Sequence, residues 1–185
     1  MTTIETGAVS VNGLDMYYEI HGEGQPLVLL HCWSMNLRVF DALVAQLESH
    51  FELIAVDLSG HGRSAGAALP ADIDALAAAL QPCVPPEAIV LGWSLGGANA
   101  LNLGWQYPEV FANVGAFSPS LWLSPKPDDI AGIQASRFAQ SMIAAGAYHP
   151  GSRFFFAVGD TEETDDRDGD GVIDVLDDAR DTLDE

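Results

Sequence analysis

Ala88-Ile89-Val90-Leu91-Gly92-Trp93-Ser94-Leu95-Gly96-Gly97 decides the reading of this 185-residue chain. Four apolar residues, β-branched at Ile89 and Val90, predict a strand covered on both faces. Gly92-Trp93-Ser94-Leu95-Gly96 is G-x-S-x-G, a sharp strand-to-helix turn that carries one serine. Its glycines flank Ser94 by two residues because strand and helix pass too close there for a Cβ. The helix expected over Leu95 to Tyr107 is rich in small residues, so it can lie tight on a sheet. Its N-terminal N–H groups and dipole then favour negative charge beside the serine. A Gly/Ser turn without chemistry is the plainer reading, and the strand before and helix after it argue against that.

Outward from this turn, strand and helix alternate. Residues 8–20 show alternating apolar positions around Asn12-Gly13, a type I′ hairpin signal that predicts an antiparallel edge pair. Pro26 to Leu30 is a continuous apolar run ending at His31. Val39, Phe40, Leu43, Val44 and Leu47 recur at helical spacing. Leu53 to Val56 predicts another buried strand, Asp72 to Leu80 an alanine-rich helix, and Val114 to Phe117 a short strand. A helix is expected over residues 128–145 and a last strand over Arg153 to Gly159. Leu176, Ala179 and Leu183 close the chain with a helical pattern. Such an order implies one α/β domain over residues 1–185, a mostly parallel sheet with helices on both faces and its ligand site at the strand C-termini. No long cap insertion is expected.

Composition limits the partners. Only 7 Lys and Arg oppose 27 Asp and Glu, a formal net charge of −20. That balance argues against nucleic acid and anionic membranes. Residues 160–185 alone hold 13 acids against 2 bases. No run approaches the ~20 apolar residues a bilayer span needs. Cys32 and Cys83 lack metal or redox spacing and read as buried thiols in a reducing compartment. With no basic-then-apolar leader at Met1-Thr2-Thr3-Ile4, the expected location is cytoplasmic. A homo-oligomer is compatible with the sequence.

Three ordered motifs resemble the α/β-hydrolase superfamily: His31-Cys32-Trp33 after the first buried strand, Asp57-Leu58-Ser59-Gly60-His61-Gly62-Arg63-Ser64, and the Gly92–Gly96 turn. The first half is most similar to the carboxylesterases that cleave pimeloyl-carrier-protein methyl ester. The second half, through Tyr107-Pro108-Glu109-Val110-Phe111 and Phe117-Ser118-Pro119-Ser120-Leu121-Trp122, is similar to the enterochelin- and feruloyl-esterase branch. The resemblance implies a serine carboxylesterase acting on small to medium acyl esters, with no cofactor needed for catalysis. Ser94 would be the nucleophile, and the Leu95 and Trp33 N–H groups the oxyanion hole. Met35, Leu121 and Trp122 would line the substrate pocket. The family offset after Gly159 selects Glu162 as the acid, with Asp160 next. Family order places the histidine after the acid, yet His21, His31, His50, His61 and His149 all precede Glu162. The chain therefore reads as lacking the family's last strand and histidine loop, through truncation or natural economy. Weak activity follows from that gap. An upstream histidine, His31 above all, is the secondary candidate base, although both His31 and His61 fit a loop-bracing role better. Dehalogenase and epoxide-hydrolase chemistry is disfavoured because those relatives carry Asp at the turn; thioesterase and perhydrolase chemistry stay open.

The acidic tail has its own pattern. Asp166, Asp168, Asp170, Asp174 and Asp177 occupy positions 1, 3, 5, 9 and 12 of a Ca²⁺ loop over 166–177, with Gly171 at the sharp turn and Val172 offering its carbonyl. The expected ion is structural. A solvated acidic linker is the plainer alternative. The second functional reading, of a different class, is a catalytically impaired hydrolase-fold module that binds Ca²⁺ or a partner.

Overall fold

The computed structural model describes residues 3–11, 13–70, 72–126, 129–160 and 163–184. Strands β1 (Thr3–Val11) and β2 (Leu14–His21) form the expected hairpin, turning at Gly13 with φ +80°; Asn12 lies outside the described residues. Then follow β3 (Gln25–Leu30), α1 (Asp41–Leu47), β4 (Phe51–Asp57), α2 (Ile73–Leu80), β5 (Ile89–Trp93) and α3 (Leu95–Gln106). The rest comprises β6 (Asn113–Phe117), α4 (Ile130–Ser136), α5 (Phe138–Ala145), β7 (Arg153–Ala157) and α6 (Asp174–Asp184). The seven strands are ordered β1-β2-β4-β3-β5-β6-β7, antiparallel through β2–β4 and parallel from β4 onward.

Strand β3 shows why the sheet is covered twice. Its alternate residues Leu27 and Leu29 pack with Phe40 and Val44 on the α1 side. Val28 and Leu30 pack with Leu76 and Leu80 of α2 and Ala100 and Leu103 of α3 on the other. A continuous apolar run is what a strand buried on both faces requires. Asp72 caps α2, its side chain accepting from the Ala75 N–H, which satisfies one of the unpaired donors of the first turn.

The helix expected over 128–145 is two helices. Arg137 breaks it with an extended backbone (φ −55°, ψ 134°). This turns the Arg137 side chain inward, where its guanidinium is buried and bonds Asp178 and Asp181 of α6. Arg167 reaches Asp178 as well, and Gln140 donates to the Asp178 carbonyl and to Thr182 Oγ1. Helix α6 is therefore clamped to α5 through polar contacts as well as through Ala179.

The loops at the strand C-termini are tied around two buried groups. Asp57 accepts from the Leu37 N–H at 2.7 Å and the Arg63 N–H at 2.8 Å. His31 Nε2 accepts from the Leu58 N–H at 3.0 Å, so Nδ1 carries the proton and donates to the Cys32 carbonyl at 2.8 Å. Buried Glu19 of β2 receives both Arg38 and Arg63, joining the segments after β3 and β4.

Burial lowers the affinity of His31 for a second proton, an effect that the neighbouring His61 reinforces and that the Cys32 carbonyl and Asp57 oppose. A buried imidazole held neutral contributes its full stability above the unfolded value of about 6.5 and loses it as pH falls toward the lower folded value. Replacing His31 with Leu strands the Leu58 N–H and the Cys32 carbonyl, so urea unfolding at pH 7.5 should show a loss of about 1–3 kcal/mol. The gap between parent and variant should shrink at pH 5; a gap that stays constant or widens contradicts this bracing role.

Candidate active site

Strand β5 ends where α3 begins, and the approach leaves no room for side chains. A Cβ on Gly92 would lie 1.9 Å from the Gly96 carbonyl oxygen, and one on Gly96 would lie 2.0 Å from the Leu30 oxygen. Ser94, between them, takes φ 55° and ψ −116°. A non-glycine residue in that region carries strain of order 1–3 kcal/mol. Neighbouring backbone holds it there: the Ser94 N–H donates to the Phe117 carbonyl at 2.9 Å, and the Ser94 carbonyl accepts from Ala98 and Ser120.

The serine opens onto a cleft of about 340 Å³ bordered by Cys32, Trp33, Met35, Trp93, Ser120 and Trp122 on one side and Glu163, Val175 and Asp178 on the other. Ser94 Oγ stands 3.2 Å from Ser120 Oγ. Among the described residues, the N–H groups of Trp33 and Leu95 donate to no acceptor. The Leu95 amide also heads α3, whose twelve residues add the positive end of a helix dipole. The Cys32 thiol is buried and pushed up by that burial, so it is an inert neighbour rather than a nucleophile.

Of the expected pocket residues, Met35 and Trp122 border the cleft. Leu121 does not. It is core, packed with Leu101, Ala139 and Ala179, because Ser120 and Trp122 on either side take the outward positions. Ser118 and Ser120 belong to the same quoted segment and reach the cleft although the sequence reading passed them over. Ser118, on the same cleft, also takes a positive φ, 42°.

The acid positions are spread. Glu162 lies outside the described residues. Asp160 is exposed beyond β7 and is not among the described residues bordering the cleft. Glu163, not singled out by the sequence reading, does border it. Burial pushes the Glu163 carboxyl up; a Val175 backbone donor opposes the shift, while Asp174 and Asp165 add to it.

Register places the histidines. His21 pairs with Leu53 near the N-terminal end of β4, His50 directly precedes β4, and His149 precedes β7 and packs on Trp105. All three sit at the opposite end of the sheet from Ser94. His31 is corrected as a candidate base: both ring nitrogens are engaged in the brace, with the acceptor nitrogen held by Leu58. His61 meets His31 at a tilt and Trp33 edge-on, with ring centroids 5.3 and 5.2 Å away, and its Nδ1 meets the Ser59 carbonyl. No described imidazole hydrogen-bonds Ser94 Oγ.

Beyond Trp122 and Glu163 a second hollow carries Asp165, Asp166, Arg167 and Asp174. Here the acidic loop folds on itself. Asp166 accepts from the N–H groups of Gly169, Asp170 and Gly171, and Asp170 accepts from Val172. Gly169 and Gly171 have φ of 78° and 91°. Ligand atoms of Asp166, Asp168 and Asp170 lie within 4.8 Å of one another. Asp177 is pushed up by burial, then by Asp181, Asp168 and Asp170. Asp174 differs: buried, it accepts from the Arg167 N–H and pairs with the Arg167 guanidinium. Three of the expected carboxylates thus converge, and one is turned toward an arginine.

Comparison with known proteins agrees with this geometry. The family model described as "alpha/beta hydrolase fold" matches residues 25–150. A pimeloyl-[acyl-carrier protein] methyl ester esterase of Klebsiella pneumoniae is 42% identical over 128 residues, covering 65% of this chain and 49% of that protein. The chain thus spans about half the length of the curated relatives it matches. A hydrolase from Pseudomonas aeruginosa superposes with a TM-score of 0.59 at 22% identity, over 77% of this chain and 58% of its own. Naproxen esterase (carboxylesterase NP) from Bacillus subtilis superposes at 0.57 and 22%, over 63% of this chain and 43% of its own. No described helix is long and apolar enough to cross a membrane. A strained serine between β5 and α3, the strand order and the matched span lead to one assignment: the chain belongs to the α/β-hydrolase fold family.

Proposed function

We propose that this chain is a serine carboxylesterase of low turnover, acting on small to medium acyl esters in an open cleft. The observation that carries the reading is Ser94 held at positive φ on a cleft that Trp33 also borders, with the Trp33 and Leu95 N–H groups lacking an acceptor among the described residues. The Ser94 hydroxyl oxygen would attack the ester carbonyl carbon. Its proton would pass to water or to the alcohol as the carbon–alkoxide bond breaks. A water molecule would then cleave the acyl-serine, releasing the acid and restoring the hydroxyl. The Leu95 and Trp33 N–H groups would carry the negative oxygen of each tetrahedral stage, where preorganised donors act most strongly. Among the described residues no imidazole reaches Ser94, and loss of that base lowers turnover in serine hydrolases by about 10⁶, leaving ~10³–10⁴ over water. Of the two described carboxyls on the cleft, Asp178 is held by Arg137 and Arg167, which leaves Glu163 as the candidate acid of this reading. The relatives' named substrate supports ester hydrolysis as a class.

The loop over 166–177 supports a second role as a structural Ca²⁺ site, with Asp166, Asp168, Asp170, Asp177 and the Val172 carbonyl as oxygen donors. An ion there would offset repulsion among the carboxylates and stiffen the start of α6.

Hydrolysis of p-nitrophenyl acetate should be slow and should fall further in Ser94→Ala, toward what binding and the oxyanion donors alone supply; equal turnover by parent and variant contradicts the esterase reading. Thermal melting in millimolar Ca²⁺ should exceed that in chelator by several degrees, and the difference should vanish in Asp168→Asn/Asp170→Asn. An unchanged melting temperature in the parent contradicts the calcium reading.

A further inference from the structure

The chain has four tryptophans, and three of them border the Ser94 cleft: Trp33, Trp93 and Trp122, exposed by 60, 43 and 46%. Met35, exposed by 46%, joins them. Large apolar side chains left in water around a single cleft mark a binding surface more than a fold requirement. The charge bordering the cleft and the adjoining hollow is predominantly negative, with Arg167 the one described cation. Glu163 borders the cleft, and the adjoining hollow adds Asp165 and Asp166, none in an ion pair with a described cation. The nearest cations are spoken for: Arg137 binds Asp178 and Asp181, and Arg167 binds Asp174 and Asp178. No lysine or arginine borders the cleft among the described residues.

Aromatic faces carry negative charge at their centres, and rings grouped around a carboxylate recognise alkylammonium groups over neutral ones of equal shape. A chain with net charge −20 adds a long-range field of the same preference. The same field opposes a substrate bearing a free carboxylate or a phosphate. Resting on the esterase reading above, we propose that the cleft selects esters of cationic alcohols, with the alkylammonium group seated among Trp33, Trp93 and Trp122 and facing Glu163. Ser94 then meets the ester carbonyl, and hydrolysis releases the amino alcohol.

Choline and its uncharged carbon isostere 3,3-dimethyl-1-butanol separate charge from shape. Titrating each into the full chain, followed by calorimetry and tryptophan fluorescence, should show choline bound at least tenfold more tightly than the isostere. Choline affinity should drop at 0.5 M NaCl, and should drop about fivefold or more in Trp122→Ala and in Glu163→Gln, with circular dichroism unchanged in both. Equal or tighter binding of the isostere, undetectable choline binding, or full choline affinity in both variants overturns the proposal. Should either variant unfold, the parent's choline-to-isostere ratio and its salt dependence still decide. These outcomes are independent of turnover: loss of esterase activity would count against the role of Ser94, and the binding ratio against the cationic cleft. If Ser94-dependent hydrolysis is present, acetylcholine should exceed 3,3-dimethylbutyl acetate in kcat/KM by the same factor, and monomethyl adipate should be the poorest of the three.

Discussion

The structure depends on one close approach, the passage of the Gly92 backbone against the Gly96 carbonyl and of Gly96 against the Leu30 oxygen. Because no Cβ fits at either point, β3, β5 and the first turn of α3 are locked at a separation that side chains would otherwise set. Ser94 is the residue left between them, and its φ of 55° is what the geometry demands of it. Strain of that kind persists only where the surroundings over-determine it. Here three backbone hydrogen bonds do so, and the strand C-termini on either side present the remaining parts of the cleft.

A second constraint comes from charge. Thirteen acids in the last 26 residues would keep such a segment solvated and apart from an acidic body. Arg137 and Arg167 reverse that outcome by drawing Asp178 inside. A buried ion pair of this kind adds little net stability, but a helix docked without it would leave a buried charge unpaired. By fixing α6, the two arginines hold Val175 and Asp178 at the cleft, while Asp165, Asp166, Asp168 and Asp170 stay exposed. The acidic character of the site is therefore a consequence of how the tail is anchored.

Much of this was legible in the residues, for physical reasons. Buried strands such as Leu27 to Leu30 and Ile54 to Val56 are continuous apolar runs, and the turn at Ser94 is marked by glycines that nothing else can replace. The pairing of β1 with β2 follows from alternation and the Gly13 turn. What escaped is what depends on distant partners. The break at Arg137 cannot be read locally, since its carboxylates lie 41 and 44 residues away. Leu121 and Trp122 are neighbours of similar hydrophobicity, and only the curvature of the segment after β6 sends one to the core and the other to the cleft. Glu162 lies outside the described residues, its neighbour Glu163 borders the cleft, and no periodic pattern over 160–163 singles out one acid in sequence. For His31 the residues already favoured a brace over a base, and its hydrogen bonds to Leu58 and Cys32 make it one.

The central claim is that the Ser94 hydroxyl is presented, strained and accessible, beside donors waiting for a negative oxygen. An alkyl fluorophosphonate reports on that arrangement directly, because its phosphonyl oxygen needs the same donors and its phosphorus the same hydroxyl. Peptide mapping after prolonged incubation of the full chain should locate the adduct on Ser94, with no adduct on that peptide in Ser94→Ala. An absence of labelling at Ser94, or labelling spread evenly over Ser118, Ser120 and other exposed serines, would contradict the account.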